Sequence, residues 1–299
     1  MSKTKTPKIG LALGSGGAKG LAHIGVIKIL EENDISIDFI AGSSIGAIIG
    51  GFYSATKNIK QIEEIALSTN WRQLLSLIDP SLRQGLIGGE KIKKFIERHI
   101  GRIKFQDLKI PFSAVATDLE TGEIISINQG EVVSAIRASI SIPLVFKPVN
   151  REGRLLADGG LSLPVPVEVA RKMGAELVIA VNLDADYFAS GNNNKIDNKT
   201  NLGFYKITNN SINLLRYHLA SWNVKDADII VEPKLGIKLG IAHWNKFLDG
   251  KDIILAGESA MKKKLPQLQE LICQKSKKGL RKYFDFLRGQ GQADKKEGG

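Results

Sequence analysis

Cysteine is nearly absent from this chain: Cys273 is the one thiol in 299 residues. No intrachain disulfide can form, which excludes the stapled scaffolds of small secreted domains. Long apolar runs are missing too. The longest small-apolar stretch, IGAIIGGFY, is far short of the roughly 20 residues needed to cross a bilayer, so no transmembrane helix is expected. The opening MSKTKTPK lacks the apolar core of a signal peptide, and with the lone thiol this predicts a reducing cytoplasm. Evenly spread basic charge is also lacking. The net charge is +11, yet residues 261–299 alone hold eleven Lys and Arg against four Asp and Glu. The body is therefore only mildly basic. It shows no basic face interleaved with aromatics, and no nucleic-acid partner is expected.

What is present is ordinary for a globular protein, with 43% hydrophobic and 24% charged residues. No Pro/Ser-rich linker divides the chain. The runs KIGLAL, DFIAG, FSAVAT, EIISI, LLAD, LVIAVNL and DIIVEP read as strands. Helical periods over 22–30, 59–67 and 91–96 lie between them. Such alternation predicts an α/β fold with a mainly parallel central sheet and helices on both faces. Residues 189–201, with five Asn, read as a surface loop, either a plain connection or a lid. The last dozen residues read as disordered.

The stretch DFIAGSSIGAIIGG carries the first chemical signal. Gly42, Ser44 and Gly46 spell G-x-S-x-G between a strand and a helix. A sharp strand-to-helix turn pushes its central side chain outward and leaves no room for a Cβ two residues to either side. The Ser44 hydroxyl then sits at a helix N-terminus, where developing negative charge is favoured. The alternative is a helix-capping serine in a Gly-rich turn. Ser43 lies off the motif's centre.

Upstream, GLALGSGGAKGLAHIG is again strand, Gly-rich loop, helix. A dinucleotide fingerprint starting at Gly14 fails because Lys19 stands at its third glycine position, and a P-loop fails because Gly20 follows Lys19. An oxyanion hole fits instead, with the amides of Gly16, Gly17 and Ala18 turned toward an oxygen becoming negative. Lys19 either holds this loop or is solvated. A serine nucleophile also needs a base. His23, His99 and His218 sit in helical contexts, leaving His243 in GIAHWNKF as the histidine candidate. The rival is Asp158 in RLLADGGLSLPVPV, at the end of a strand and followed by Gly159 and Gly160. Near its reference pKa of about 3.9 an aspartate is a weak base, and partial burial would correct that. Its bland reading is an Asp-Gly turn.

GSGGAKG at 14–20, GSSIG at 42–46, ASISIP at 138–143 and DGG at 158–160, in this order and spacing, resemble the patatin-like phospholipase family, specifically its small bacterial members. SAVATDLETGE and VPVEVARKMGAELVIAVNL are also similar. The resemblance spans residues 8–271, which it marks as a patatin-like acyl hydrolase domain of three-layer fold, with 272–299 as a tail. It implies a serine lipid acyl hydrolase with a Ser-Asp dyad: Ser44 as nucleophile, Asp158 as base, and the oxyanion hole at Gly16, Gly17 and Ala18. Gly14, Lys19, Gly20, Gly42, Gly46, Gly159 and Gly160 complete its motifs. Phospholipids or other acyl esters are the implied substrates, with no cofactor or metal. His243 would be idle and Asp118 structural. Ser15 stands where the family often has glycine. The rival functions are a silent regulatory or lipid-binding module and an esterase for short soluble esters.

In KSKKGLRKYFDFLR, Leu280, Tyr283, Phe284 and Leu287 recur at helical spacing beside basic residues. Lys275, Lys277, Lys278, Arg281 and Lys282 would meet an anionic membrane at its inner face if this helix lay on lipid. The alternative is a terminal helix docked on the body, with its basic face solvated. Gly279 is expected to weaken the helix.

Overall fold

The computed structural model describes residues 6–68, 89–143, 145–186, 204–234 and 250–293. The expected lid or loop at 189–201 and the candidate His243 lie outside them. In chain order the elements are β1 (Ile9–Leu13), α1 (Ala22–Glu32), β2 (Phe39–Ser43), α2 (Ile45–Thr56), α3 (Ile59–Leu67), α4 (Glu90–Ile100), β3 (Phe112–Asp118) and β4 (Ile124–Ile127). There follow α5 (Val132–Ser139), β5 (Val149–Arg151), β6 (Arg154–Asp158), α6 (Val167–Lys172), β7 (Leu177–Val181), α7 (Phe204–Asn223), β8 (Ile229–Val231) and α8 (Gly250–Ala293).

The strands form one sheet in the order β5-β6-β3-β2-β1-β7-β8, with β4 also paired to β3. From β3 to β8 every pairing along this path is parallel, whereas β4, β5 and β6 pair antiparallel. All five residues of β1 and of β7 are buried, so these central strands read as continuous apolar runs rather than alternating ones. Ile9, Leu11 and Leu13 join the larger core with Leu177, Ile179 and Val181. The opposite face is built from smaller residues, Ala12, Ala41, Val178 and Ala180, and receives Val167, Val169 and Ala170 of the short helix α6. Each fully buried Leu or Ile contributes about 1.5–3 kcal/mol. The expected three-layer α/β architecture is therefore present, with the bulkier helical layer on the side of the larger residues.

The site is set by how β3 shares its edges. Residues Ala114 to Thr117 pair with β4 along one edge. A strand has only two edges, so β2 and β6 must divide the other. β2 runs parallel to β3 and ends with Ser43 opposite Val115, while β6 runs antiparallel and ends with Asp158 opposite Ala116. The two strands thus run head-on, and their C-terminal ends meet. Strand β5 is too short, at three residues, for periodicity to reveal it. It exists because Glu152 and Gly153, both at positive φ (53° and 80°), close a tight hairpin onto β6.

Helix α8 crosses α1 at very short range. A Cβ on Gly25 would fall 2.0 Å from Ile254 O, and one on Gly257 would fall 2.0 Å from Ala22 O. Met261 and Leu268 are fully buried. α8 is therefore docked on the body as far as Leu268; the side chains from Lys277 on, where docking and membrane contact were the alternatives, lie outside the described ones. Lys275 is also part of the body: its ammonium donates to the carbonyl of Glu176 and pairs with Asp228 at 3.1 Å. This corrects its assignment to a free membrane-facing cluster. The helix runs unbroken past residue 272 and Gly279 to Ala293, into the segment read as disordered. Among the described residues no helix is long and apolar enough to cross a membrane.

Candidate active site

Ser44 stands between β2 and α2 with φ 55° and ψ −121°, a region that residues with a Cβ rarely occupy and that clusters at functional sites. The flanking glycines explain how the bend is possible. A Cβ on Gly42 would lie 2.4 Å from Gly46 O, and one on Gly46 would lie 2.1 Å from Leu13 O. Both obstacles are backbone and cannot swing away. Gly46→Ala is therefore expected to cost about 2–4 kcal/mol. This would be read as a lower urea midpoint at unchanged m value, and an unmoved midpoint would contradict this account of the elbow.

Ser44 Oγ donates to Asp158 Oδ2 at 2.6 Å, across 114 residues of sequence. Both side chains are buried, at 5% and 6% exposure. Asp158 Oδ1 accepts from the Gly160 amide at 2.7 Å, and its main-chain oxygen accepts from the Thr117 hydroxyl. Burial pushes the Asp158 carboxyl up to about 6, although the Ser44 and Gly160 hydrogen bonds and the charge of Arg216 pull the other way. The shift is the one a carboxylate needs to serve as a base near neutral pH. Gly159 packs beneath it against Val115 O and Ser43 Oγ. Ser43 is fully buried, and its hydroxyl lies against Gly159.

The Gly-rich loop follows β1. Gly14 N donates to Val181 O and Ser15 N to Pro164 O. The Ser15 side chain is buried beside Gly160, so the family departure there is accommodated. A 3₁₀ turn begins at Gly17 (φ 57°). Its first amides, Gly17 and Ala18, precede any acceptor within the turn. Gly16 packs on Leu183 and Gly20 on Ile45. Lys19 is a holder of this loop: its ammonium donates to Leu183 O at 3.1 Å and to Asp186 at 3.3 Å.

The three described histidines are engaged elsewhere. His23 is fully buried, hydrogen-bonded to Gly14 O, and burial lowers it to about 4. His99 bonds Phe95 O, and His218 packs edge-on against Tyr217. Asp118 accepts from the Glu120 and Thr121 amides and pairs with Arg154. These contacts, led by the Glu120 amide, lower its pKa, and it acts as a turn-forming residue. Sequence reading missed Arg216, whose guanidinium grips Asp184 through two bonds of 2.8 and 2.7 Å. This clamps the segment after β7 that also receives Lys19. No motif surrounds either residue, so nothing in the sequence marked them.

The fold and the site together define an α/β protein with a serine on a strained elbow, bonded to a buried carboxylate beside a glycine-rich turn. The family described as patatin-like phospholipase matches residues 11–171, and the chain belongs to it. An uncharacterized NTE family protein of Mycobacterium tuberculosis is 43% identical over 182 residues, 60% of this chain and 50% of that protein. Human patatin-like phospholipase domain-containing protein 6 is 32% identical over 183 residues, 58% of this chain and 13% of that protein. The Drosophila melanogaster neuropathy target esterase sws is 33% identical over a similar span, again 13% of its length. The chain thus spans half or less of the length of these relatives. Among solved structures, VipD from Legionella pneumophila superimposes with a TM-score of 0.51 at 12% identity, covering 88% of this chain and 67% of that one. This is a likeness of fold.

Proposed function

We propose that this protein is a serine hydrolase of fatty-acyl esters, of the phospholipase A, lysophospholipase or esterase type, working through a Ser44–Asp158 dyad. The observation that carries the reading is the 2.6 Å bond from a strained, elbow-mounted hydroxyl to a carboxylate raised to about 6. Ser44 Oγ attacks the ester carbonyl while Asp158 Oδ2 takes its proton. The carbonyl oxygen becomes negative at the amides of Gly16, Gly17 and Ala18. The alcohol leaves with that proton, and water, deprotonated by Asp158, releases the fatty acid from the acyl-enzyme.

Family membership supports lipid esters as substrates. So does α7, which exposes Ile207, Leu214, Leu215 and Trp222 while its Arg216 reaches toward the site. A helix of that kind suits a lipid interface. Lys277, Lys278, Arg281 and Lys282, whose side chains lie outside the described ones, are by their sequence spacing a proposed second contact with an anionic membrane.

The test is fatty-acid release from phospholipid, lysophospholipid and short-chain esters, followed against pH. The expected kcat/KM rises with pH through an acid limb near 6, because only deprotonated Asp158 accepts the serine proton. Long acyl chains are expected to be preferred. No release from any ester would favour the silent module, and equal rates on short and long chains would remove the lipid role.

A further inference from the structure

The motif ASISIP has no part in the reaction above, yet it touches both halves of the dyad. Ser139, the last residue of α5, is fully buried, and its Oγ accepts from the backbone amide of Ser44 at 3.0 Å. Two residues on, the carbonyl of Ser141 accepts from the backbone amide of Asp158 at 3.0 Å. One short turn therefore holds the main chain of nucleophile and base at once. The turn is itself anchored. Arg137 Nη1 donates to Ser141 Oγ at 2.7 Å, Ser141 Oγ donates back to Arg137 O at 3.0 Å, and Arg137 Nη2 reaches Lys147 O at 3.0 Å. The guanidinium lies 5.2 Å from the centre of the Phe146 ring.

We infer that Ser139 is a positioning residue for the nucleophile and that the Ser139–Ser141 turn clamps Ser44 to Asp158; the kinetic part of this rests on the hydrolase reading above. Three physical points carry it. β2 and β6 meet end to end, so no ladder bond joins their tips directly, and a third segment has to tie them. The Ser44 peptide sits at φ 55°, and such a conformation persists only where its surroundings over-determine it. A buried N–H without an acceptor is also costly, which makes the Ser139 oxygen the natural pin. A consequence concerns the oxyanion. In many serine hydrolases the nucleophile's own amide helps bind it. Here that amide is committed to Ser139, so the burden falls on the glycine-rich loop.

The test compares the parent protein, Ser139→Ala and Ser44→Ala by two independent readouts. The first is hydrogen exchange of the Ser44 amide in protein labelled with ¹⁵N-serine. Exchange is expected to quicken at least about tenfold in Ser139→Ala, since a tenfold change accompanies loss of a single net hydrogen bond. The second is ester kinetics, where kcat is expected to fall about 10–100-fold with KM within about twofold, the mark of misplacement rather than lost binding. Unchanged exchange, or a KM that rises at constant kcat, overturns the proposal. If no ester is hydrolysed by the parent, the hydrolase reading fails while the exchange result still decides the clamp. Should Ser139→Ala not fold, Ser139→Cys, nearly isosteric and a weak acceptor, supplies the same comparison.

Discussion

Ser44→Ala is expected to lower ester hydrolysis by about 10⁴–10⁶-fold, to the level left by binding and the oxyanion loop alone. Ser43 cannot take over, because its hydroxyl lies under Gly159. The fold should survive, since Asp158 keeps the Gly160 amide as a donor and losing one hydrogen bond costs only about 1–2 kcal/mol. Steady-state rates measured beside a urea midpoint separate the two effects. A variant that stays folded and keeps even a tenth of the parent rate would show that the nucleophile is elsewhere.

Asp158→Asn should cost about 10³–10⁴-fold in rate, comparable with losing the carboxylate of a catalytic triad, and yet stabilise the protein at pH 7.5. The carboxyl titrates near 6 in the folded chain against about 3.9 unfolded. Between these values the folded state binds the proton more strongly, so stability falls as pH rises from about 4 to 6, and the cost is complete above that window. Two pH units correspond to about 3 kcal/mol, an upper bound on the gain when the charge is removed. Urea midpoints should therefore diverge at pH 7.5, with the variant higher, and converge as the pH falls below about 4. A variant of full activity would return the role of base to a histidine, with His243 the first to be tested.

The chemistry was legible where it depends on local backbone. The elbow at Ser44 needs glycines at 42 and 46 for reasons of space, and the sequence displays both. Asp158 was harder, since an Asp-Gly-Gly run also describes an ordinary turn. Its partner stands 114 residues away, and only four motifs in register joined the two. Ser139 was visible as a motif but not as a device, because its work is done on a main-chain amide that leaves no trace in side-chain type. Arg216 and Asp184 form an ion pair between separate elements and carry no local pattern. The strands of the parallel sheet were readable from buried apolar runs, whereas the three-residue β5 was not. The basic tail misled in one respect: charge alone cannot tell a lysine that waits for a membrane from one such as Lys275, whose partners Glu176 and Asp228 immediately precede β7 and β8.

The most direct measurement is mass spectrometry of the protein after reaction with a fluorophosphonate, with the adduct mapped by peptide and the labelling rate followed from pH 4.5 to 8. The account predicts a single adduct on Ser44 that forms more slowly as pH falls through about 6 and is lost in Ser44→Ala. An adduct on another residue, or undiminished ester hydrolysis with Ser44 unlabelled, would contradict it.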